Sequence, residues 1–136
     1  MYLELIQLVT NTALWVLIWL VQLVIYPGFL HYSESDIKRW HGQYTARVSY
    51  IIAPLMLSQL VAYGYAVYLN SWTAVLCLML ILVNWAVTFF VAVPLHNKIE
   101  SEPETLIIRE KLVKVNWIRT VAWSLVFIIS IVEYGK

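Results

Sequence analysis

The longest uncharged stretch of the chain covers fifty consecutive residues, from Val48 to Asn97, and contains no Asp, Glu, Lys or Arg. A helix of about 20 mostly apolar residues crosses the ~30 Å hydrocarbon core of a bilayer. This stretch therefore suffices for two spans, joined by a tight turn that we place at residues 69–72, Leu-Asn-Ser-Trp. It is more apolar chain than a soluble domain of 136 residues can bury.

Two further apolar stretches flank it. Residues 5–30 carry no charge, and residues 115–132 are interrupted only by Arg119. The chain is 62% hydrophobic and 12% charged, whereas soluble domains carry about 25% charged residues. We therefore predict one all-α domain over residues 1–136, an integral membrane four-helix bundle running up-down-up-down. The predicted spans are residues 3–27, 46–69, 71–95 and 115–133.

The basic residues predict an orientation. All lysines and arginines except Lys136 lie in or beside the connections after the first and third spans. Because such residues mark the cytoplasmic side, we expect these connections inside and both termini outside, in a bacterial inner membrane. Glu4 replaces the basic start of a signal peptide, so we expect the first helix to be retained. The expected partner is the lipid bilayer; a net charge of +1 gives no support for nucleic acid.

Breakers and caps predict where helices begin and end. Pro27-Gly28 is expected to end the first span, and Pro94 the third. Residues 33–36, Ser-Glu-Ser-Asp, and residues 101–104, Ser-Glu-Pro-Glu, both have the pattern of a capping box. Each is expected to open a helix that continues into the next span. The two halves thus share one plan, which is either an internal repeat or the common form of two helical hairpins.

Polar residues inside the predicted spans recur at helical spacing, so each helix carries one polar and aromatic face. Such residues usually face the bundle interior, and here they are densest at the cytoplasmic end. A pocket with aromatic walls and a few polar groups suits a lipophilic aromatic ligand. The alternative is that the polar groups only join helices by hydrogen bonds of about 0.6 kcal/mol each, and that Arg47 and Arg119 extend to the headgroups.

The three histidines, His31, His41 and His96, are all expected on this side. Imidazoles bind zinc, iron and haem, so a metal site, or a haem held by His41 and His96, is a third possibility. However, the sequence has no HxxxH or ExxH pair, and no cofactor is favoured. The single cysteine, Cys77, excludes a disulfide framework and a CxxC redox site.

Two short motifs resemble a known family. Residues 93–99, Val-Pro-Leu-His-Asn-Lys-Ile, resemble the Val-Pro-Leu-Asn-Asn-Arg-Leu that closes the third span of anthrone oxygenase-like proteins. Residues 116–120, Asn-Trp-Ile-Arg-Thr, are similar to the Asn-His-Val-Arg-Thr that opens their fourth span. The resemblance implies a small four-helix membrane protein and a cofactor-free oxygenase acting on polycyclic phenolic ketones.

In that chemistry a base removes a proton from an activated carbon, the carbanion reacts with oxygen, and loss of water leaves a quinone. The resemblance implies that Arg119 stabilises the enolate oxygen and that Asn97 and Asn116 orient it. The family's histidine is Trp117 here, while His96 replaces an asparagine. A base would therefore have to stand on the third span.

The leading hypothesis is a membrane protein that binds a lipophilic aromatic or quinone-like molecule, with oxidoreductase chemistry as a possible activity. Its candidate catalytic residues are His96 as base and Arg119 as electrostatic stabiliser. Its candidate substrate-binding residues are His41, Tyr44, Asn97, Asn116, Thr120 and Trp123. The alternative is a non-catalytic accessory subunit that packs against a larger membrane complex. The partners considered, besides lipid and a hydrophobic small molecule, are further copies of this chain in a homo-oligomer or the subunits of such a complex. A cavity that reaches His96 and Arg119 would favour the first hypothesis, and a filled interior the second.

Overall fold

Four long helices make up the computed structural model, which describes residues 2–135 and has no strand in that range. They are α1 (Tyr2–Phe29), α2 (Glu34–Tyr68), α3 (Trp72–Ser101) and α4 (Leu106–Tyr134), and each is long and apolar enough to cross a membrane. The predicted all-helical fold with four helices is thereby confirmed.

The first and third connections are shorter than the gaps between the predicted spans. The connections comprise residues 30–33, 69–71 and 102–105. The polar segments between the spans are helical: they lengthen α2 and α4 at their beginnings and α3 at its end. Lysines and arginines that were expected in or beside the connections therefore lie on helical turns.

Local capping signals explain two of the helix starts. The hydroxyl of Ser33 accepts a hydrogen bond from the Asp36 backbone N–H at 3.1 Å, as the first capping box predicted. Ser71 caps α3 by accepting from the Ala74 N–H at 3.3 Å. Between α2 and α3, Asn70 has φ 63°, a left-handed conformation that Asn tolerates better than most residues. The predicted turn at residues 69–72 is confirmed.

The prediction that residues 101–104 cap the start of a helix is wrong. Ser101 is the last residue of α3, and the N–H of Glu102 still bonds to the Lys98 carbonyl at 2.9 Å. Helix α4 begins only at Leu106, after Thr105. The reason is a tertiary contact: the hydroxyl and N–H of Thr105 donate to Glu34 at 2.8 and 3.2 Å.

Prolines shape α1 and α3 in the same way. A wide π-type turn, Val21–Ile25 in α1 and Thr88–Ala92 in α3, begins six residues before Pro27 and Pro94 respectively. A proline at the start of the next α-helical segment needs no N–H partner. Neither proline ends its helix at once: α1 continues to Phe29 and α3 to Ser101. The predicted end of the third helix at Pro94 is therefore wrong. The two halves of the chain therefore share this π-type turn as well as the proline that follows it.

Each helix packs against its neighbours in the chain, and α1 also packs against α4, so the four form a closed ring. The outer surface is apolar: Tyr50, Phe90 and Ile107 are each about four-fifths exposed. In the most apolar stretch of α3, only 22% of the residues are buried.

Arg109 joins three elements at the end of the bundle where α1 finishes. Its guanidinium is 3% exposed and donates to the carbonyls of Phe29 and Tyr32 at 2.6 and 2.9 Å. It also pairs with Glu34 at 2.6 Å. This clamp fixes the end of α1 and the beginning of α2 against the first turn of α4.

Candidate functional site

A buried amide network joins α1, α2 and α4 in the middle of the bundle. Asn11 donates to the Tyr63 hydroxyl at 2.7 Å, Gln59 donates to Asn11 at 2.7 Å, and the Trp123 indole donates to Gln59 at 3.2 Å. Because these groups satisfy one another, their role is to join helices. The same holds for Gln22, whose side-chain oxygen accepts from Asn116 and Thr120 at 3.0 and 3.3 Å.

A cavity of about 280 Å³ lies beyond this network, towards the end of the bundle that holds Pro27 and Pro94. Most of its wall comes from α2 and α3, and the exposed wall residues, among them Ser49 and Asn97, belong to these two helices. Its mouth therefore faces sideways, between α2 and α3. The lining residues are Val21, Tyr26, Tyr44, Thr45, Val48, Ser49, Ile52, Thr88, Ala92, Val93, His96, Asn97, Glu100 and Arg119.

Arg119 is the cationic group of the cavity wall. Its side chain is 5% exposed, donates to the side-chain oxygen Oδ1 of Asn116 at 3.2 Å and lies over the Trp123 ring, 5.1 Å from its centroid. Its Nε has no hydrogen-bond partner. Among residues 2–135, the arginines paired with carboxylates are Arg39 and Arg109, and Arg119 is not one of them. A buried cation without a counter-ion is costly, so this position favours a ligand oxygen.

A chain of four hydrogen-bonded side chains runs along the same wall. Glu100 Oε1 lies 3.0 Å from His41 Nδ1, and His41 Nε2 lies 2.7 Å from His96 Nδ1. His96 Nε2 lies 2.9 Å from the Tyr26 hydroxyl. We call this set, Glu100, His41, His96 and Tyr26, the histidine chain. Its outer end, Glu100, is 49% exposed, whereas the His41 side chain is fully buried.

The predicted site residues fall into two groups. His96, Arg119, Tyr44 and Asn97 line the cavity. The other four do not line it: His41, Asn116 and Trp123 contact residues that do, and Thr120 contacts only their neighbours. His41 bonds to His96, Asn116 bonds to Arg119 and Gln22, Thr120 bonds to Gln22, and Trp123 lies beneath Arg119.

Two members of the site were missed from the sequence, Tyr26 and Glu100. Glu100 stands one helical turn after His96, a spacing that places both side chains on one face of α3. That spacing was the available signal, but the acidic residues after the third span were interpreted as capping charges. Tyr26 lies on the polar face of α1 and could have been included by the same periodicity.

The histidines do not form a metal centre in this arrangement. His31 is exposed on the connection after α1, and the facing nitrogens of His41 and His96 are at hydrogen-bond distance. A metal held between opposed imidazoles needs about 4 Å between them, since each Zn–N bond is about 2 Å long. Across residues 2–135 no group of three His, Cys, Asp or Glu side chains is placed to hold a metal ion.

A second cavity, of about 180 Å³, lies at the opposite end of the bundle near Tyr63 and Cys77. None of the predicted site residues lines it. The cavity beside Arg119 is therefore the candidate ligand site.

Fold and site together define an all-helical four-helix bundle with a sideways-opening cavity, a buried arginine and a histidine chain. Comparison with protein-family models, with curated proteins and with solved structures finds no match. The relation to anthrone oxygenase-like proteins remains a prediction that rests on residues 93–99 and 116–120.

Proposed function

We propose that this protein is a multi-pass membrane protein that binds a lipophilic aromatic or quinone-like molecule beside Arg119. The observation that carries the proposal is the buried guanidinium of Arg119 on a cavity wall, without a carboxylate partner in the described chain. An enolate, phenolate or quinone oxygen would supply the missing acceptor. Hydrogen bonds to charged groups are worth about 1.5–3 kcal/mol.

The cavity also defines the size and polarity of the ligand. Its volume of about 280 Å³ is just below the usual 300–1,000 Å³ of small-molecule sites, which favours a compact ring system. Val48 and Ile52 provide apolar wall, while Tyr44 and Asn97 provide polar contacts. If the ligand is a carbon acid, His96 is placed to act as its base, the chemistry that the family resemblance implies.

Membrane insertion and topology are part of the proposal. Four apolar helices with short connections and an apolar outer surface support an up-down-up-down bundle in the bilayer. The mouth between α2 and α3 would then open towards the lipid, the route by which a lipophilic ligand enters. The basic residues support a cytoplasmic location for the connections at residues 30–33 and 102–105.

Cysteine labelling tests this topology. In a Cys77→Ala background, Ser35→Cys is expected to react with a membrane-impermeant maleimide only from the cytoplasmic side. Gly135→Cys is expected to react only from the opposite side, because four spans place both termini outside. Labelling of both positions from the same side would contradict the topology.

Variants of Arg119 test the ligand site. We use 2-tert-butyl-4-nitrophenol as the probe because its phenolate absorbs visible light. Arg119→Ala is expected to weaken its binding about tenfold or more, the equivalent of ~1.4 kcal/mol or above. Arg119→Lys is expected to weaken it as well, because an ammonium lacks the planar set of donors.

Arg47→Ala is the matched control, since Arg47 is exposed on α2 and does not line the cavity. Its affinity for the probe should equal that of the unmodified protein, and all three variants should melt near the unmodified temperature. Full affinity in Arg119→Lys would rule out the multi-donor contact. Equal affinity in every variant would show that the probe does not contact Arg119 and would contradict the proposed site.

A further inference from the structure

The histidine chain leads along the cavity wall from the buried Tyr26 to the half-exposed carboxylate of Glu100, and its hydrogens can be placed by elimination. An ionised Glu100 only accepts, so His41 must donate to it with Nδ1–H. A neutral His41 then accepts at Nε2, so His96 must donate with its own Nδ1–H. That leaves His96 Nε2 to accept the hydroxyl proton of Tyr26.

All three hydrogen bonds therefore point the same way, from Tyr26 towards Glu100. We infer that the histidine chain is a proton relay between the bound ligand and the exposed carboxylate of Glu100. This inference rests on the proposed function and adds to it the class of ligand: a phenol or other weak acid that loses a proton when it binds beside Arg119.

The relay step balances without any exchange of electrons. The ligand O–H bond breaks as its proton passes to the Tyr26 oxygen, whose own proton passes to His96 Nε2. The Nδ1 proton of His96 passes to His41 Nε2, and the Nδ1 proton of His41 passes to Glu100. One ligand O–H bond is lost and one carboxylic O–H bond is formed. The negative charge moves from Glu100 to the ligand oxygen, next to Arg119. Reprotonation of the ligand reverses every transfer and restores both imidazole tautomers.

The amide network at Asn11 and Gln59 is closed and buried. The histidine chain instead runs along the cavity wall, from the buried Tyr26 to the half-exposed carboxylate of Glu100, which also lines the cavity. Every helix contributes a titratable or charged group around it: Tyr26 from α1, His41 and Tyr44 from α2, His96 and Glu100 from α3, and Arg119 from α4.

The first test needs no ligand. Nitrogen-15 NMR of histidine-labelled protein reports which ring nitrogen carries the proton, and His31→Gln identifies the His31 signals. The relay predicts Nδ1–H tautomers for both His41 and His96 at neutral pH. An Nε2–H tautomer at either residue would overturn the inferred direction of the chain.

The second test measures proton transfer to bound 2-tert-butyl-4-nitrophenol after a laser-released proton pulse. In Glu100→Gln the amide oxygen still accepts from His41 but cannot take up a proton. At a probe concentration that saturates both proteins, transfer should therefore slow about tenfold or more. The matched control is Glu104→Gln, since Glu104 lies outside the histidine chain, and its transfer rate should not change.

The outcomes separate the two proposals. A normal transfer rate in Glu100→Gln, with the probe bound, would overturn the relay and leave the ligand site intact. Failure of the unmodified protein to bind the probe would overturn the ligand site as proposed. The tautomers of the empty protein would then decide by themselves whether the histidine chain is oriented as a relay.

Discussion

Arg109→Ala is expected to lower the free energy of unfolding by about 3 kcal/mol, because two backbone carbonyls lose their charged donor and an unsatisfied polar group costs about 1–3 kcal/mol. The substitution removes two bonds to backbone carbonyls and one to Glu34. The carbonyls of Phe29 and Tyr32 would be left at the buried junction of α1, α2 and α4. Equilibrium unfolding in mixed micelles measures the loss.

Arg39→Ala is the matched control for this change. Arg39 pairs with Asp36 at 2.6 Å, the same distance as the Arg109–Glu34 pair, but its side chain is 78% exposed. Exposed pairs contribute about 0–1 kcal/mol, so little stability should be lost. The loss of stability in Arg109→Lys should lie between those of the two alanine variants, since one ammonium replaces only part of the guanidinium's set of donors. Equal losses for Arg109→Ala and Arg39→Ala would contradict the role of the clamp.

Local signals predicted the helices well. The turn at Asn70 and the cap at Ser33 depend on residues within one helical turn of each other, so the sequence contains the whole cause. The second capping box failed for the opposite reason. Glu34, which lies 71 positions before Thr105, accepts the Thr105 N–H that in a helix opened at Ser101 would bond to the Ser101 carbonyl. A pattern of four residues does not contain that competitor.

The candidate site was predicted in outline, because polar residues at helical spacing converge where α1 and α3 end. The spacing did not distinguish residues that line the cavity, such as Tyr44 and Asn97, from those that contact the lining residues from behind, such as His41 and Trp123. That division depends on the rotation of each helix about its axis. The wide turns before Pro27 and Pro94 change this rotation, and periodicity alone does not include it.

From the sequence, Arg109 contributes only to the prediction of orientation. In the structure it is among the most buried charged residues. Its position in a segment rich in Glu and Lys gave no local sign of burial. The distinction between Arg109 and its exposed neighbours arises from the carbonyls at the end of α1, which are distant in sequence.

The central claim is that a lipophilic aromatic molecule binds in the cavity between α2 and α3, and blocking its mouth tests that claim most directly. Ser49 is exposed and lines the cavity, so Ser49→Trp should place an indole across the entrance. Burying about 100 Å² of an aromatic ring is worth about 2.5 kcal/mol. Loss of that burial corresponds to nearly a hundredfold in Kd.

The measurement is equilibrium binding of 2-tert-butyl-4-nitrophenol to the purified protein in lipid nanodiscs, compared with Ser49→Trp and with Ser58→Trp. Ser58 is exposed on the same helix but does not line the cavity, so it controls for the added indole. The account predicts that the unmodified protein and Ser58→Trp bind alike, while Ser49→Trp loses nearly all affinity. Equal binding by all three proteins, or no binding by any of them, would contradict it.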